Sequence, residues 1–425
     1  MNEKITATEL ADGVYGCHIP SARFKTARIS VCAYLPLEQR TAAAYSLISL
    51  LISNGCAKYP APLDLSCETD RLYGASLGAD TDKLGDTLVL RTGIIFVQDK
   101  FLPENIFEQC ATLLFDTLFD PAADEGGFIA ENFERERRIQ LEDIEGEIND
   151  KRTFARNRCV GAMCAGEPYG LPVLGTREEV CALTRDGVYA AWREIIRTAC
   201  FRIAVTADSE HPEIYEMFTD RLAQFERGDI FRPTASVLHS SDGEVKQICD
   251  RMDVAQGKLV LGYSVGGAGE DSVSYPAMVM TDMLGGGAYS LLFNNVREKL
   301  SLCYYCAARG MRRKGIVLID SGVEFDNMDK TEAAIGEQIE LLKSGEFGDD
   351  LLAASKLSIC GSLGGVYDSQ TVTDRWYSDR LFDDRLLSPA ELAERVRSVT
   401  RDDVIAAAQS LRLDTVYRLL GKEDK

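Results

Sequence analysis

The chain has 425 residues, of which 45% are hydrophobic and 27% charged, a composition typical of a globular protein with room for two or three domains. Its formal net charge of -20 and its pI of about 4.7 argue against nucleic-acid binding and against anionic membranes, because both need clustered basic residues. No apolar run approaches the roughly 20 residues of a membrane span, and the first residues lack the apolar core of a signal peptide. We therefore expect a cytoplasmic protein that binds neither nucleic acid nor membrane.

The first half of the chain alternates strand-like and helical segments. The first predicted helix is apolar nearly all round, as expected for a buried helix. Later helices are indicated by Pro at a first turn and by apolar residues at helical spacing, and one of them is long and highly charged. In chain order the predicted elements are strand 28–35, helix 41–53, helix 62–73, strands 75–82 and 86–94, helix 103–119, helix 128–158, one or two helices over 178–198, and strand 201–207.

The second half repeats this order of elements. Between residues 228 and 245 the periodicity is lost and Pro, Ser, Gly and Asp accumulate, which is typical of a linker. After it the predicted elements are strand 258–264, buried helix 274–284, helix 289–299, strands 302–309 and 315–323, and helix 331–344. The offset from Val31 to Val260 is 229 residues. We predict two copies of one α/β unit, in domains 1–228 and 246–425 joined by linker 229–245, each an α+β sheet with helices on one side.

The number and positions of the cysteines and histidines limit the metal and redox chemistry that this chain can support. Thirteen scattered cysteines, an odd number, are typical of free thiols in a reducing compartment. Cys303 and Cys306 form a C-x-x-C, but a strand places such side chains on opposite faces, so we interpret the motif as coincidence. The three histidines, His18, His211 and His239, are far apart in the sequence.

The segment 285–304 combines an arginine and a tyrosine in a suggestive order. Glycines end one predicted helix at Gly285, the next helix runs past Arg297, and Tyr304 follows seven positions later in a strand-like run. A helix end and the next strand can direct a guanidinium and a phenol to one place, where both can donate to a peptide carbonyl or a developing oxyanion. The simpler alternative is a surface arginine and a half-buried tyrosine, and spacing alone leaves both open.

Four stretches occur in the order found in one known family. They are Gly-Cys-Ala-Lys-Tyr-Pro at 55–60, Phe-Glu-Arg-Glu-Arg at 133–137, Glu-Pro-Tyr-Gly-Leu-Pro-Val-Leu-Gly-Thr at 167–176, and the segment 285–304. On these stretches, and over nearly all its length, the chain resembles the M16 peptidases, the group of insulinase, pitrilysin and mitochondrial processing peptidase. The resemblance, which is to small bacterial members that work in pairs, implies two homologous units with mainly antiparallel sheets, arranged as a clam shell.

Active M16 members carry an inverted zinc motif, H-x-x-E-H, on the buried helix of the first half. Two imidazoles four residues apart share a helix face and can hold one Zn²⁺, the Glu activates the bound water, and a third ligand comes from the long charged helix. Aligning residues 55–60 with the family pattern puts these positions at Ser46, Ser49, Leu50 and, downstream, near Asp143. Serine and leucine can supply neither the ligands nor the base, so the resemblance implies that this chain holds no catalytic zinc.

The remaining acids of the charged helix have a simpler interpretation. We interpret them, together with Asp143, as a solvated face paired with arginines. They are Glu134, Glu136, Glu142 and Glu145.

The resemblance assigns a role to the second half as well. In the family an Arg and a Tyr face the zinc and grip the substrate backbone, which implies that role for Arg297 and Tyr304. Our prediction is a zinc-free subunit that binds peptide and works with a zinc-bearing homologous chain, or pairs with itself, and contains no cofactor of its own. The alternatives are a structural or peptide-binding scaffold with no part in hydrolysis, and a self-sufficient metalloprotease, which the lone histidines disfavour.

Overall fold

The computed structural model describes residues 5–234, 237–241, 243–266, 270–383 and 385–422. Its strands are β1 (Ala7–Ala11), β2 (Val14–Pro20), β3 (Thr26–Pro36), β4 (Ser76–Leu84), β5 (Thr87–Val97), β6 (Ala123–Asp124), β7 (Gly127–Phe128), β8 (Cys200–Ala207), β9 (Lys246–Met252), β10 (Gly257–Val265), β11 (Cys303–Met311), β12 (Ile316–Val323) and β13 (Leu411–Gly421).

Helices account for most of the remaining described chain. They are α1 (Gln39–Ser53), α2 (Pro62–Arg71), α3 (Phe107–Phe119), α4 (Ala130–Gly146), α5 (Lys151–Met163), α6 (Arg177–Ala182), α7 (Arg185–Thr198), α8 (Pro212–Leu222), α9 (Glu270–Gly285), α10 (Met328–Ser344), α11 (Asp349–Gly365), α12 (Gln370–Ser378), α13 (Pro389–Ser398) and α14 (Arg401–Ser410). A π-helix, Leu292–Lys299, lies between α9 and β11.

The chain forms two compact units. Unit 1 comprises Met1–Glu145, Leu171–Ala235 and Val366–Ser388. Its sheet has the order β1-β2-β8-β3-β5-β4, in which only β2 and β8 are parallel neighbours. Apolar residues of α1, α3, α7 and α8 pack on one face of this sheet and form a continuous core, because each of these helices has an apolar side to bury.

Unit 2 comprises Gly146–Gly170, Ser236–Gly365 and Pro389–Lys425. Its sheet has the order β11-β12-β10-β13-β9, again with one parallel pair, β13 and β9. This order matches β4-β5-β3-β8-β2 of unit 1 strand for strand. The predicted internal repeat and the mainly antiparallel α+β fold are therefore confirmed, with Val31 in β3 and Val260 in β10 at equivalent strands. The clam-shell arrangement stays a prediction.

Each unit also contains one helix from the other half of the sequence. Unit 1 includes α12, whose Ser378 carbonyl accepts a hydrogen bond from the Tyr34 hydroxyl of β3 at 2.8 Å. Unit 2 includes α5, whose Cys159 and Met163 pack in one cluster with Val260 of β10. Each sheet thus carries a helix on the face opposite its main helical layer. The compact units therefore divide the chain differently from the predicted domains 1–228 and 246–425, and of the predicted linker 229–245, positions 235, 236 and 242 lie outside the described residues.

One predicted element was wrong in its extent. The single long helix 128–158 is divided into α4 and α5, with a 3-10 turn at Glu147–Asn149 between them. Asp150 caps α5, because its Oδ1 accepts from the backbone nitrogens of Arg152 at 3.0 Å and Thr153 at 3.1 Å. The break is the point where the chain leaves unit 1 for unit 2. The strands β1, β2, β6, β7, β9 and β13 and the helices α8 and α11 to α14 were not predicted from the sequence.

Candidate functional site

The positions predicted for the degenerate zinc motif lie on the buried helix α1, and their polar atoms are bonded within unit 1. The Ser46 hydroxyl donates to the Val173 carbonyl at 2.7 Å and is 2.9 Å from the Thr81 hydroxyl. The Ser49 hydroxyl donates to the Ser46 carbonyl at 2.8 Å. Leu50 is half-buried against the core. None of these side chains has a group suited to Zn²⁺, and the two hydroxyls already have protein partners.

The helix α4 presents an amide, and not the predicted acid, to helix α1. Asp143 is exposed to solvent. Gln140 is fully buried, and its Nε2 donates to the carbonyls of Ala43 at 3.1 Å and Leu174 at 2.7 Å. A neutral amide that donates to two carbonyls holds α4 against α1 and cannot replace a metal-binding carboxylate.

The prediction of a solvated acidic face is correct for Glu134, Glu142 and Glu145. It is wrong for Glu136. Glu134 pairs with Arg137 at 2.6 Å, Glu142 lies 3.7 Å from Arg138, and Glu145 pairs with Arg177. Glu136 is instead buried at 1% exposure, and Arg135 Nε donates to it at 2.8 Å. Helical spacing does not distinguish a buried from a solvated acid when both neighbours are arginines.

The backbone that carries Arg297 and Tyr304 has three uncommon features in close succession. Arg297 lies in the π-helix, a rare conformation that is often found at functional sites. Ser301 has a φ of 51°, in the left-handed region that L-residues other than glycine rarely adopt. Tyr304 is the extra residue of a β-bulge, since Cys303 pairs with Val323 and Tyr305 pairs with the next residue, Gly322. A left-handed residue other than glycine costs of order 1–3 kcal/mol, and π-helices and β-bulges are both enriched at functional sites.

The side chains of Arg297 and Tyr304 both reach solvent from unit 2. Tyr304 is 59% exposed, and its hydroxyl donates to Glu324 at 3.0 Å, which raises the pKa of the phenol. The Arg297 side chain is 39% exposed, with Nη1 3.6 Å from Glu298 and the guanidinium 4.6 Å from the Phe293 ring centroid. The elements that carry these two residues are adjacent, because the Leu302 backbone nitrogen, just before β11, donates to the Val296 carbonyl of the π-helix at 3.2 Å.

The C-x-x-C motif differs from its prediction. The bulge shifts the alternation of β11 by one residue, so that Cys303 and Cys306 are both buried on one face of the strand. The neighbouring Cys306 thiol lowers the pKa of Cys303, and Arg297 adds to this effect against the opposing influence of burial. The Cys303 thiol, together with burial, raises the pKa of Cys306. The expectation of opposite faces was wrong because it assumed a regular strand.

A second polar cluster in unit 2 contains the side chains best suited to a metal. Cys164, Glu167 and His239 present ligand atoms within 4.8 Å of one another. However, the Lys314 ammonium is 2.6 Å from Glu167, and the two ring nitrogens of His239 face Glu167 at 2.5 Å and Asp414 at 3.1 Å. A buried ammonium repels a cation, and both imidazole nitrogens already meet carboxylates, so this donor set does not fit Zn²⁺.

The carboxylates of this cluster are held in their charged forms. Burial raises the pKa of Glu167, but hydrogen bonds from Lys314 and His239 outweigh it and lower the pKa overall. Burial likewise raises the pKa of Asp414, but hydrogen bonds from Thr415 and His239 outweigh it and lower the pKa overall. The cluster is therefore an ion-pair network that ties the segment 146–170 to the rest of unit 2. His239 had no signal in the sequence, because its partners are 72 and 175 positions away.

The other two histidines lie in unit 1. His211 stacks on Phe107 at 3.6 Å between ring centroids and pairs with Glu213 at 2.8 Å. His18 lines an open cavity of about 520 Å³ beside β1 and β2, together with Glu210 and Tyr215. Neither histidine lies on α1, so neither stands in for the missing imidazoles.

Comparison with known proteins agrees with this geometry. The profile of the Peptidase M16 inactive domain matches residues 182–358. A Bacillus subtilis protein described as the probable inactive metalloprotease YmfF is 26% identical over 412 residues, which is 95% of each chain. A conserved protein from Enterococcus faecalis has the same fold, with a TM-score of 0.92, 23% identity and full coverage of both chains. A peptidase M16 inactive domain from Pseudomonas fluorescens superposes with a TM-score of 0.79 at 14% identity, over 100% of this chain and 99% of its own.

The chain thus resembles the M16 peptidases, since residues 182–358 match the inactive-domain model of that family, and the positions predicted for the zinc motif carry no metal ligands. Among the residues described, no helix combines the length and the apolar character needed to cross a bilayer.

Proposed function

We propose that this chain is a zinc-free M16 subunit that binds peptide substrates through Arg297 and Tyr304 and takes part in proteolysis with a homologous, zinc-bearing chain. On its own it is inactive as a metalloprotease, because Ser46, Ser49 and Leu50 replace the ligands and the base. The name of the Bacillus subtilis relative, a probable inactive metalloprotease, supports the second statement.

The observation that carries the proposal is the contrast between the two halves of the chain. Around α1, the hydroxyls of Ser46 and Ser49 are buried and bonded internally, as in an ordinary helix. Around β11, a π-helix, a left-handed serine and a bulge support two exposed donors, Arg297 and Tyr304. A fold that had lost every function would have no reason to keep uncommon backbone at one site while the other became ordinary packing.

Both donors are suited to hold an extended peptide. A guanidinium and a phenol can donate to backbone carbonyls, and in the presence of a partner's zinc they would also stabilise the oxyanion that forms during attack. Their present partners, Glu298 at 3.6 Å and Glu324 at 3.0 Å, are carboxylates near the surface that a peptide carbonyl can displace.

The test uses the neighbouring reading frame, if it encodes a chain with H-x-x-E-H intact. The two purified chains are mixed, and hydrolysis of a quenched fluorescent peptide library is measured with each chain alone and with both together. Activity that requires both chains supports the proposal. Arg297→Ala and Tyr304→Phe should each reduce kcat/KM by roughly 100- to 1,000-fold, the loss typical of one transition-state donor.

A matched control is available on the same strand. Arg309 is exposed in β11, about 17 Å from Tyr304 at the usual rise per residue, so Arg309→Ala should leave kcat/KM unchanged. Wild-type rates for Arg297→Ala in the mixed assay would contradict the assigned role.

A second function, a peptide-binding or structural scaffold with no part in hydrolysis, is favoured by one observation. Arg297 and Tyr304 already contact Glu298 and Glu324, so both side chains have a place in the folded chain without any substrate. Fluorescence anisotropy with the same peptides distinguishes the two functions. Binding by this chain alone, with no turnover when the partner is added, would favour the scaffold, and stoichiometric zinc in the purified chain would contradict both.

A further inference from the structure

A small cavity lies in unit 1, on the face of the sheet that α12 covers. It measures about 50 Å³ and is lined by residues of β3, β4, β5 and α12, which leaves room for a ligand of only a few heavy atoms. Its charged lining side chains are three arginines and two aspartates, and they are Arg28, Arg91, Arg375, Asp80 and Asp374. The cavity thus has one more positive than negative group on its walls.

Two glycines on neighbouring strands create the space. Ser30 of β3 pairs with Gly93 of β5, and Gly93 pairs with Gly78 of β4, so this row across the sheet carries only one small side chain. A Cβ added at Gly93 would lie 2.8 Å from Nη2 of Arg28, which places that guanidinium over Gly93. A Cβ added at Gly78 would meet nothing within 4 Å. Gly78 is exposed on the edge strand β4, so a small solute can enter beside it.

Arg91 supplies charged donors that the protein leaves unpaired. It lies beside the glycine row on β5, between Cys32 and Asp80 of the neighbouring strands, and is 8% exposed. Its Nη2 donates to Asp379 at 2.6 Å. Within the described part of the chain, Nε and Nη1 have no hydrogen-bond partner, and Nη1 is 4.0 Å from Asp82, which is too far for a hydrogen bond. Buried donors without a partner are rare and costly, and a bound ion is one way to satisfy them.

The carboxylates near the cavity are already paired or face solvent. The two oxygens of Asp374 accept from Arg202 at 2.7 Å and from Arg28 at 3.2 Å. Asp82 accepts from Arg375 of α12, and Asp80 is exposed to water and salt, which screen its charge. A cation in the cavity would meet guanidinium groups, whereas an anion would accept from N–H donors that are always charged.

From this geometry we infer that the cavity is a binding site for a small monovalent anion of the size of chloride or bromide, held by Nε and Nη1 of Arg91. A divalent oxyanion such as sulfate is disfavoured, because Asp374 and Asp80 line the same small space. The inference goes beyond the proposed function and does not depend on it. Since the site lies between the sheet and α12, and a ligand stabilises the state that binds it, the anion should strengthen the attachment of α12 to unit 1.

Thermal unfolding of the full chain tests the inference. The Tm is measured as sodium gluconate is replaced by sodium chloride at constant ionic strength, because gluconate is too large for a cavity of about 50 Å³. The Tm should rise with chloride and level off as the site saturates, and bromide should act in the same way. A Tm that does not change when chloride replaces gluconate would overturn the inference.

Three variants separate this site from general effects of salt. Gly78→Val fills the open space and leaves every arginine in place, so the dependence of the Tm on chloride should disappear. Arg91→Gln removes the donors and should have the same result. Arg23→Gln is the matched control, since Arg23 is about two-thirds exposed and pairs with Asp368, and it should keep the full dependence. A chloride dependence that survives in Gly78→Val would contradict the assigned site.

Diffraction from wild-type crystals grown with bromide gives a second measurement that needs no variant to fold. The anomalous signal should show a bromide within hydrogen-bonding distance of Nε or Nη1 of Arg91. Water alone at that position would overturn the inference.

Discussion

Replacing Asp374 with asparagine removes the charge that neutralises a fully buried arginine in unit 1. Asp374 lies on α12, where its Oδ1 accepts from Arg202 Nη1 at 2.7 Å and its Oδ2 from Arg28 Nε at 3.2 Å. Arg202 is 0% exposed and Asp374 4% exposed, so water cannot take over the lost interaction. Breaking a buried pair by removing one partner costs about 3–5 kcal/mol, because the other charge remains buried and uncompensated.

Asp374→Asn should therefore lower the free energy of unfolding of unit 1 by about 3–5 kcal/mol. Urea unfolding followed by far-UV circular dichroism measures this loss, and trypsin cleavage within the segment 366–388 should become faster as α12 detaches. Asp368→Asn is the matched control, because Asp368 pairs with Arg23 at 3.0 Å while both side chains are about two-thirds exposed. An exposed pair contributes at most about 1 kcal/mol, so equal losses in the two variants would refute the reasoning.

The same pair predicts the direction of a pH dependence. Burial raises the pKa of Asp374, but the charges of Arg202 and Arg28 outweigh it, and the folded-state pKa is lower than in the unfolded chain. A depressed carboxyl pKa stabilises the fold above the unfolded value of about 3.9, and the contribution is lost as the pH falls through the folded-state pKa. The stability difference between the wild type and Asp374→Asn should be constant from pH 7 to pH 5 and shrink below about pH 4.

Two further pairs of substitutions test packing and the polar cluster of unit 2. Gly285→Ala places a Cβ against the backbone of β11 and should destabilise by about 1–3 kcal/mol. Gly336→Ala, in a helix with open space around that position, should stabilise by up to about 1 kcal/mol; thermal unfolding of both checks the contrast. Glu167→Gln removes the carboxylate that holds Lys314 and should cost about 1.5–3 kcal/mol. Glu394→Gln, at an exposed pair, is its control in urea unfolding, and equal losses would contradict a buried network.

Residue identity alone indicates that the predicted zinc-motif positions of this chain cannot hold zinc. Whether position 46 or 50 can hold zinc depends on the atoms of its side chain, and Ser46 and Leu50 have no imidazole in any fold. The repeat of elements, from β3 to β10 and onward, could also be predicted, because apolar periodicity and glycine positions record local structure. The positions of Arg297 and Tyr304, seven residues apart, could likewise be identified from the sequence.

Tertiary structure decided which side chains meet. Arg202 and Asp374 are 172 positions apart, and His239 meets Glu167 and Asp414 from 72 and 175 positions away. The Arg202–Asp374 and His239–Glu167 pairs form because segments 366–388 and 146–170 each belong to the unit of the other half of the sequence. The bulge at Tyr304 had no sequence signal either, since a one-residue shift in strand pairing depends on the partner strand. That shift reverses which face each side chain occupies, and so it places Cys303 and Cys306 on the same buried face of β11.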